Sequence, residues 1–269
     1  MLASPHPLAG DLRDAFERAG DRLGIFGGRI LWYPEVGSTN DVALSLAEAG
    51  EAEGGVVVAD AQTAGRGRRG RVWVSPPGAG IYVSVVLRPP SPVAAVLTLA
   101  AGVAVAEGIE AATGLSARVK WPNDVYVESP PGVTGTRKLA GILAEATSRG
   151  TVVVGIGINV QPAAYPPDVA SRATSIESEL GRAVDRGLVL AECLTALAAR
   201  YQAVRAGRSD AVVSAWRSRA ASTFGRVVAW DAGGTIHQGV AHDVDVDGAL
   251  LVRTTGGLVR VVSGEVRWV

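Results

Sequence analysis

The sequence predicts an α/β protein in which helices flank a mixed β-sheet and a small all-β domain follows. Three observations lead to this prediction. From Ile30 onward, short β-branched or alternating apolar runs, typical of strands, alternate with longer helical patterns. After Ser222 the helical patterns stop, and short strands separated by glycine-rich turns take their place. The composition, 48% hydrophobic and 19% charged, supplies enough apolar side chains for a sizeable core.

The first 28 residues hold one amphipathic segment, at residues 11–23, followed by a glycine-rich break. They are too few for a helix-turn-helix module with a core of its own, so we assign residues 1–28 as an N-terminal extension. A strand at residues 30–33 comes next. It is followed by a helix for which Ser38-Thr39-Asn40 offers capping side chains.

The rest of the central domain, residues 29–221, contains five predicted strands, at residues 55–61, 81–87, 119–127, 138–147 and 151–160. The last two are joined by a hairpin turn at Ser148-Arg149-Gly150. Ser91-Pro92 places proline in the first turn of a helix that runs to about residue 112. Two more helices are predicted at residues 188–206 and 210–221. Residues 129–136, with two prolines and two glycines, form the predicted flexible insertion.

The C-terminal domain, residues 222–269, is predicted to be a small SH3-like β-barrel. Its strands are expected at residues 226–230, 236–244, 250–254 and 258–262. A unit of roughly 48 residues is near the lower size limit for independent folding. We therefore expect it to pack on the larger domain.

The charge balance and the cysteine count exclude several classes of protein. The 26 basic and 26 acidic residues cancel, so no whole-molecule field attracts nucleic acid or a membrane surface. The single cysteine, Cys193, excludes an intrachain disulfide, and we expect it in the core. The N-terminus lacks the pattern of a secretory signal, and the apolar residues 93–106 are shorter than the roughly 20 residues that a membrane-spanning helix needs. A cytoplasmic location is expected.

The most informative local motif is a basic, glycine-rich loop, Gly65-Arg66-Gly67-Arg68-Arg69-Gly70-Arg71-Val72-Trp73. Glycines let backbone amides close on a ligand, and guanidinium groups bind anions in a forked geometry. The loop therefore predicts an anion site in an otherwise neutral protein. Its residues alone leave three interpretations open: a solvated basic loop, a nucleic-acid contact in which Trp73 stacks on a base, or a site for a small phosphorylated or carboxylated ligand.

Three later motifs complete the set: Lys120-Trp121-Pro122-Asn123-Asp124, residues 137–145, and Gly155-Ile156-Gly157-Ile158-Asn159-Val160. Asn123 and Asp124 present an amide and a carboxylate that can hold a nucleotide or its Mg²⁺, although such pairs are also common in turns. The glycines of the last motif leave one face of a strand bare, which permits close approach of a ligand or another backbone.

Lysine is rare in this chain, because Lys120 and Lys138 are the only two lysines among the 26 basic residues. They are candidates for chemistry that needs a point charge rather than a planar guanidinium. Strand alternation places Lys138 and Gly141 on opposite faces. The two therefore share a site only if the backbone or the long lysine side chain bridges the faces.

Together and in this order, the four motifs with Ser38-Thr39-Asn40 and Gln62-Thr63-Ala64-Gly65 resemble those of the biotin–protein ligases, over roughly residues 30–262. The resemblance implies a class II synthetase-like catalytic fold, with ATP and biotin as substrates and Mg²⁺ as cofactor. It also implies biotinyl-5′-AMP as intermediate and a lysine of a biotin carboxyl carrier protein as acceptor. Transcription-regulating members begin with a DNA-binding domain, for which this chain has no room, so the resemblance implies a ligase without repressor activity.

The resemblance also implies residue roles. Biotin is expected to contact Ser38, Thr39, Asn40, Gln62, Gly65, Arg66, Gly67, Arg68, Lys138, Gly141 and Gly155. The nucleotide is expected to contact Arg68, Arg71, Trp73, Asn123, Asp124, Lys138 and Asn159. Arg68, Arg71, Lys138 and Asp124 are the implied catalytic residues, with Lys138 bridging the two ligands and Asp124 the candidate Mg²⁺ ligand.

Two other functions stay open from the sequence. A lipoate or octanoate ligase has a related architecture, although Ser38-Thr39-Asn40 with Gln62 favours a polar ring such as biotin. A nucleic-acid-binding module would use the arginine loop and Trp73, and we expect no nucleic-acid or membrane partner. An exposed sheet edge could pair two chains in a homodimer or receive the carrier protein.

Overall fold

A mixed β-sheet is the framework of the larger domain in the computed structural model, which describes residues 4–90, 94–128, 136–163 and 165–269, with backbone alone for residues 167 and 168. Within this part, seven strands form the sheet: β1 (Ile30–Val36), β2 (Val56–Gln62), β3 (Gly80–Leu87), β4 (Arg118–Lys120), β5 (Asp124–Glu128), β6 (Thr136–Ala146) and β7 (Val152–Asn159). Their spatial order is β1-β2-β3-β7-β6-β5-β4. β1 and β2 run parallel, and all other neighbours run antiparallel.

Helices cover both faces of this sheet. In chain order they are α1 (Gly10–Ala19), α2 (Thr39–Glu48), α3 (Ala94–Thr113), α4 (Pro167–Ala170), α5 (Ile176–Leu180), α6 (Arg186–Arg205) and α7 (Ser209–Arg219). α2 packs on one face, where Ala43 belongs to the same buried cluster as Val86 and Val153. α3 packs on the opposite face, with α6 and α1 behind it. Because β3 is covered on both sides, all eight of its residues are buried.

The C-terminal residues form a separate antiparallel sheet. Its strands are β8 (Val227–Ala232), β9 (Thr235–Val244), β10 (Leu250–Thr254), β11 (Gly257–Val261) and β12 (Val266–Trp268), in the order β11-β10-β9-β8-β12. The sheet packs on the larger domain as expected. Trp121 Nε1 donates to the carbonyl of Gly248 (2.9 Å), and the Arg217 guanidinium pairs with Asp243 (2.6 Å).

The predicted α/β class is confirmed, with one strand corrected. Residues 119–127 form two antiparallel strands, β4 and β5, separated by a turn at Trp121-Pro122-Asn123. Pro122 has no N–H to donate to a sheet. Asn123 instead continues the pairing with β6, because its carbonyl accepts from Ile142 N–H (3.0 Å) and its Nδ2 donates to the Ile142 carbonyl (2.9 Å).

The sequence analysis did not predict α4, α5 and β12, which are three to five residues long. Such short segments show no hydrophobic period. The helix start at Ser91-Pro92 and residues 129–135 of the flexible insertion lie outside the described residues. We propose the domain boundary near residue 222, where helices give way to the antiparallel sheet. Within the N-terminal extension, α1 packs on α6 in the core of the larger domain.

The α3 helix is the one helix in the described part of the chain that is long and apolar enough to cross a membrane by length and composition. Within the protein, 67% of its most hydrophobic window is buried. It packs against α6 on one side and β6 on the other. The helix ends at Thr113, close to the predicted residue 112, and its packing is that of a core helix.

α3 and α6 approach each other closely at Gly108. A Cβ atom on Gly108 would lie 2.4 Å from the backbone nitrogen of Cys193 and 2.5 Å from its Cα. Only glycine allows this approach without displacing a helix. Cys193 is buried, as predicted, and burial raises the pKa of its thiol.

Replacing Gly108 by alanine should lower the free energy of unfolding by about 1–3 kcal/mol, because the helices must separate to admit the methyl group. Gly102→Ala in the same helix is the control, since a Cβ there meets its nearest neighbour at 3.8 Å. The control should be as stable as the native chain or gain up to about 1 kcal/mol from helix propensity. Urea unfolding measures both, and equal stability of the two variants would contradict the close crossing.

Candidate active site

The basic loop between β2 and β3 is folded as a short hairpin. Trp73 N–H donates to the Gly65 carbonyl (2.8 Å), and Gly67 N–H donates to the Arg71 carbonyl (2.7 Å). Arg69 has a positive φ of 57° at the tip. A Cβ on Gly65 would lie 2.4 Å from the carbonyl oxygen of Trp73, so glycine is required there. The hairpin therefore holds its arginines in defined directions.

Two arginines of the hairpin are paired with carboxylates of other elements. Arg66 contacts Glu145 on β6 and Asp41 on α2, each at 2.7 Å. Arg71 pairs with Glu265, which directly precedes β12 of the C-terminal domain. These pairs attach the hairpin to three parts of the molecule.

Arg68 differs from Arg66 and Arg71, because it has no ion pair among the residues that the structure describes. Its Nη1 lies 3.5 Å from Asn123 Oδ1, at the turn between β4 and β5. Burial lowers the pKa of the Arg68 guanidinium, and nearby Asp124 acts in the opposite direction. An arginine remains charged at neutral pH, so Arg68 offers a partly buried positive charge to a ligand.

The surface beneath the hairpin consists of three glycines, Gly141 on β6 with Gly155 and Gly157 on β7, which we call the glycine floor. Gly141 and Gly157 are directly opposite each other. The Trp73 indole covers both, since a Cβ on Gly157 would lie 2.4 Å from Trp73 Nε1 and one on Gly141 would lie 3.0 Å from Trp73 Cζ3. Asn40 covers Gly155, whose Cβ would lie 2.0 Å from Asn40 Oδ1. The sequence analysis expected a ligand or another backbone to approach these glycines closely. In the structure, the side chains of Trp73 and Asn40 make this approach.

A β-bulge brings Lys138 to the glycine floor. β6 contains one extra residue, Leu139, between the positions that pair with Val125 and Tyr126 on β5. The bulge interrupts the expected alternation of faces. As a result, Lys138 Nζ lies 3.1 Å from the position that a Cβ on Gly141 would occupy.

Asp124 lies between the two lysines of the chain. Its Oδ1 is 2.5 Å from Lys138 Nζ. Lys120 is directly opposite Asp124 in the β4–β5 pair, and its Nζ lies 4.5 Å from the centroid of the Trp268 ring. Burial lowers the pKa of the Lys120 ammonium, while Asp124 acts in the opposite direction. Asp124 is therefore ion-paired with Lys138 and also favours the charged form of Lys120 through its field.

Polar side chains from α2, β2 and β3 form a wall beside the floor. Ser38, Thr39 and Asn40 are buried. Gln62 Oε1 accepts from Thr39 N–H (2.9 Å), and Ser84 Oγ lies 2.6 Å from Asn40 Oδ1. Ser38 occupies the N-cap position of α2, but its side chain makes no capping hydrogen bond. The predicted capping by these side chains is wrong, because Thr39 and Asn40 bond across to the neighbouring strands.

Asn159 supports the strand that bears Lys138. Its Nδ2 donates to the carbonyls of Thr174 (2.9 Å) and Lys138 (3.3 Å), and the residue is buried. Lys138 N–H in turn donates to the Arg172 carbonyl (2.7 Å). Asn159 therefore fixes the backbone of Lys138.

Some residues of this arrangement were not predicted as site residues: Ser75, Ser84, Glu145 and Gly157. Glu145 and Gly157 lie inside motifs that the sequence analysis did identify. Ser84 interrupts the apolar run of β3, and a polar residue at the centre of a buried strand is a signal for a hydrogen-bonded site. Ser75 accepts from Gln62 Nε2 (2.9 Å) and closes the base of the loop.

Comparison with known proteins identifies the family. Residues 32–161 match the model of the Biotin/lipoate A/B protein ligase family, and residues 223–267 match that of the Biotin protein ligase C terminal domain. The chain is 34% identical over 265 residues to the bifunctional ligase/repressor BirA of Bacillus subtilis, which covers 96% of this chain and 79% of that protein. It is 37% identical over 243 residues to the biotin–[acetyl-CoA-carboxylase] ligase of Mycobacterium tuberculosis, covering 86% of each.

Solved structures agree with this result. The biotin protein ligase from Aquifex aeolicus, in complex with biotin and ATP, superposes with a TM-score of 0.78 at 30% identity and covers 90% of this chain and 99% of that chain. The chain belongs to the Biotin/lipoate A/B protein ligase family. Within that family it is a biotin–protein ligase, an ATP-dependent enzyme.

A methyl group on Gly155 should disturb the polar wall of the site, because it would occupy the position of the Asn40 amide. Gly155→Ala would displace Asn40, which has no room to move without losing its contacts to Ser84 and Glu145. We expect the KM for biotin to rise about 10-fold or more, with the KM for ATP within about twofold. Steady-state kinetics checks this. An equal rise in both KM values, or none, would contradict the assignment of this wall to biotin.

Proposed function

We propose that this ligase activates biotin with ATP on the glycine floor and then transfers it from biotinyl-5′-AMP to a lysine of a biotin carboxyl carrier protein. The observation that supports this assignment is that Lys138, Asp124 and Arg68 meet beside a wall of buried polar side chains. Cationic groups beside glycine backbone suit two anions that must come into contact. The uncharged wall suits the ureido ring of biotin, which has both donors and acceptors.

The first step joins two groups that repel each other. A biotin carboxylate oxygen attacks the α-phosphorus of ATP, and the bond from that phosphorus to the bridging oxygen breaks, so that pyrophosphate leaves with the electron pair. No base is needed, because a carboxyl group is already ionised at neutral pH. Charge neutralisation is needed instead. Lys138 and Arg68 would provide it on the carboxylate and phosphoryl oxygens, whereas Arg71, the third cation that the resemblance implies, is engaged with Glu265.

The wall and the loop divide between the two substrates in this proposal. Ser38, Thr39, Asn40 and Gln62 would contact the biotin ring, with Gly65, Arg66, Gly67, Gly141 and Gly155 allowing the close approach. Trp73, Asn123 and Asn159 would lie on the nucleotide side. Trp73 Nε1 is buried without a hydrogen-bond partner among the described residues, so the indole can offer both a ring face and a donor.

Magnesium fits this site as a phosphate-bound ion rather than in a protein cage. No group of three His, Cys, Asp or Glu side chains in the described part of the chain could hold a metal ion. Asp124 supplies one carboxylate at the nucleotide side, and Mg²⁺ commonly uses one or two carboxylates together with substrate phosphates. When bound, the ion would neutralise charge on the phosphate oxygens.

The second step consumes the mixed anhydride. The nitrogen of the acceptor lysine attacks the acyl carbon, the bond from that carbon to the phosphate oxygen breaks, and AMP leaves. A lysine amine is protonated at neutral pH and must lose a proton to attack. We assign Asp124 as the group that receives it, because its carboxylate lies at the floor and is held by Lys138.

The acceptor can dock at a free edge of β6. Ile142 directs its N–H and carbonyl toward Asn123, and by the two-residue period of the strand Ala144 and Ala146 direct theirs to the same side. The structure describes no neighbouring strand there, since β5 begins at Asp124, which is opposite Gly141. A cavity of about 200 Å³ adjoins this edge, lined in part by Arg68, Trp121 and Leu143. A strand of the carrier added here would lie next to Arg68.

Two further points support the assignment over the alternatives. Arg66 and Arg71 are paired with carboxylates and are not free for a nucleic-acid backbone. The one cysteine is free and buried, which suits the cytoplasm of a cell. In the cytoplasm, the acceptor of the biotinyl group would be the carrier domain of an acyl-CoA carboxylase.

The reaction is tested by ATP–pyrophosphate exchange with biotin, lipoate and octanoate measured side by side. Biotin should support saturable exchange, and the other two acids should support little. Exchange that is faster with lipoate than with biotin would overturn the choice of substrate. A mutant of the acceptor lysine in the carrier is the control for the transfer step.

Lys138→Ala should slow adenylate formation by on the order of 100-fold, because it removes the charge between the two anions. Transfer from supplied biotinyl-5′-AMP should fall less. Lys138→Arg should not restore the full rate. The Lys138 ammonium lies 3.1 Å from the point that a Cβ on Gly141 would occupy, and a planar guanidinium is too large for that space. Single-turnover assays of each step measure these effects. Equal losses in both steps would remove the bridging role of Lys138.

A further inference from the structure

Glu145 is the acidic residue at the junction of the arginine hairpin, the polar wall and the glycine floor. It lies near the end of β6, and about a quarter of its side chain is exposed. Both oxygens accept from Arg66, with Nη1–Oε1 at 3.0 Å and Nη2–Oε2 at 2.7 Å. Oε2 also accepts from Asn40 Nδ2 at 2.7 Å. One carboxylate therefore joins two elements that are far apart in sequence.

The contact with Arg66 fixes the base of the hairpin. Arg66 and Val72 form an isolated bridge, and the hydrogen bond from Gly67 to Arg71 lies just above it. The direction of Arg68 at the tip thus depends on how the base is held. A bidentate arginine–carboxylate pair is more directional than a single contact. The second partner of Arg66, Asp41, is 57% exposed and contributes less because water screens it.

The contact with Asn40 fixes the direction of its amide. A carboxylate only accepts hydrogen bonds, and so does the Leu143 carbonyl, which lies 3.3 Å from Asn40 Nδ2. These two acceptors hold the NH₂ group toward β6. Oδ1 is thereby turned toward Ser84 and the space above Gly155. Without the carboxylate, the two orientations of the amide would be closer in energy.

We propose that Glu145 is a positioning residue for the biotin side of the site, which holds the arginine hairpin through Arg66 and sets the hydrogen-bonding polarity of Asn40. Arg66 then acts on biotin through the hairpin. This inference rests on the proposed adenylation of biotin. It predicts that loss of the carboxylate affects biotin binding and adenylate retention more than ATP binding.

Glu145→Gln tests the proposal, because it keeps the size of the side chain and removes its charge. We expect the KM for biotin to rise about 10-fold, the KM for ATP to stay within about twofold, and biotinyl-5′-AMP to escape about 10-fold faster. Glu145→Asp keeps a pure acceptor and should recover part of the loss. Glu110→Gln is the matched control, since Glu110 pairs with Arg219 at the same 2.7 Å but lies on α3.

Limited trypsin digestion gives a readout that does not depend on activity. Cleavage within residues 66–71 should be about 10-fold faster in Glu145→Gln than in the native enzyme or the Glu110→Gln control, while thermal unfolding is similar in all three. Unchanged cleavage, or equal rises in both KM values, would overturn the proposal. If Glu145→Gln does not fold, the same trypsin and KM measurements on Glu145→Asp test the proposal. Absence of biotin-dependent exchange in the native enzyme would instead refute the proposed function.

Discussion

The antiparallel pairing of β6 with β7 is the constraint on which the rest of the site depends. Its register sets Gly141 opposite Gly157 and Leu143 opposite Gly155, so that one face of two central strands has little side-chain cover. On the other face, Ile142 and Ile156 pack into the core beneath α3. Rigid backbone thus forms the floor of the proposed binding site. Trp73 and Asn40 can lie directly on it because no Cβ atom is in the way.

In the proposed function, the charges at this site let a protein of zero net charge hold anions. Arg66 and Arg71 are compensated by carboxylates and serve to attach the loop, whereas Arg68, which we propose faces a ligand, has no ion pair among the described residues. Lys138 is compensated by Asp124, which keeps its ammonium over the floor before substrates bind. Water-excluded charges act more strongly than solvated ones, so a few groups in fixed positions suffice.

Much of this architecture could be predicted from the sequence, because strands and long helices carry clear hydrophobic periods and the four motifs mark the strands that bear the site. The sequence could not predict the bulge at Leu139, since an extra residue in a strand leaves the apolar pattern almost unchanged. Nor could it predict that Thr39 and Asn40 bond across to other strands instead of capping α2. Glu145 looked like an ordinary strand residue. Its partners, Arg66 and Asn40, are 79 and 105 positions away.

The use of lysine at two positions in an arginine-rich chain follows from the geometry around Asp124. Lys138 reaches that carboxylate from β6, and Lys120 stands opposite it across the β4–β5 pair. Both ammonium groups are confined, one beside Trp73 and Gly141 and the other against the Trp268 ring. A guanidinium fork is larger and directs its donors in a plane, so it would be forced out of these spaces. Lys138 thus pairs directly with this carboxylate and Lys120 acts on it through its field, where adenylation would need an ammonium between two anions and transfer would need an oxygen to receive a proton.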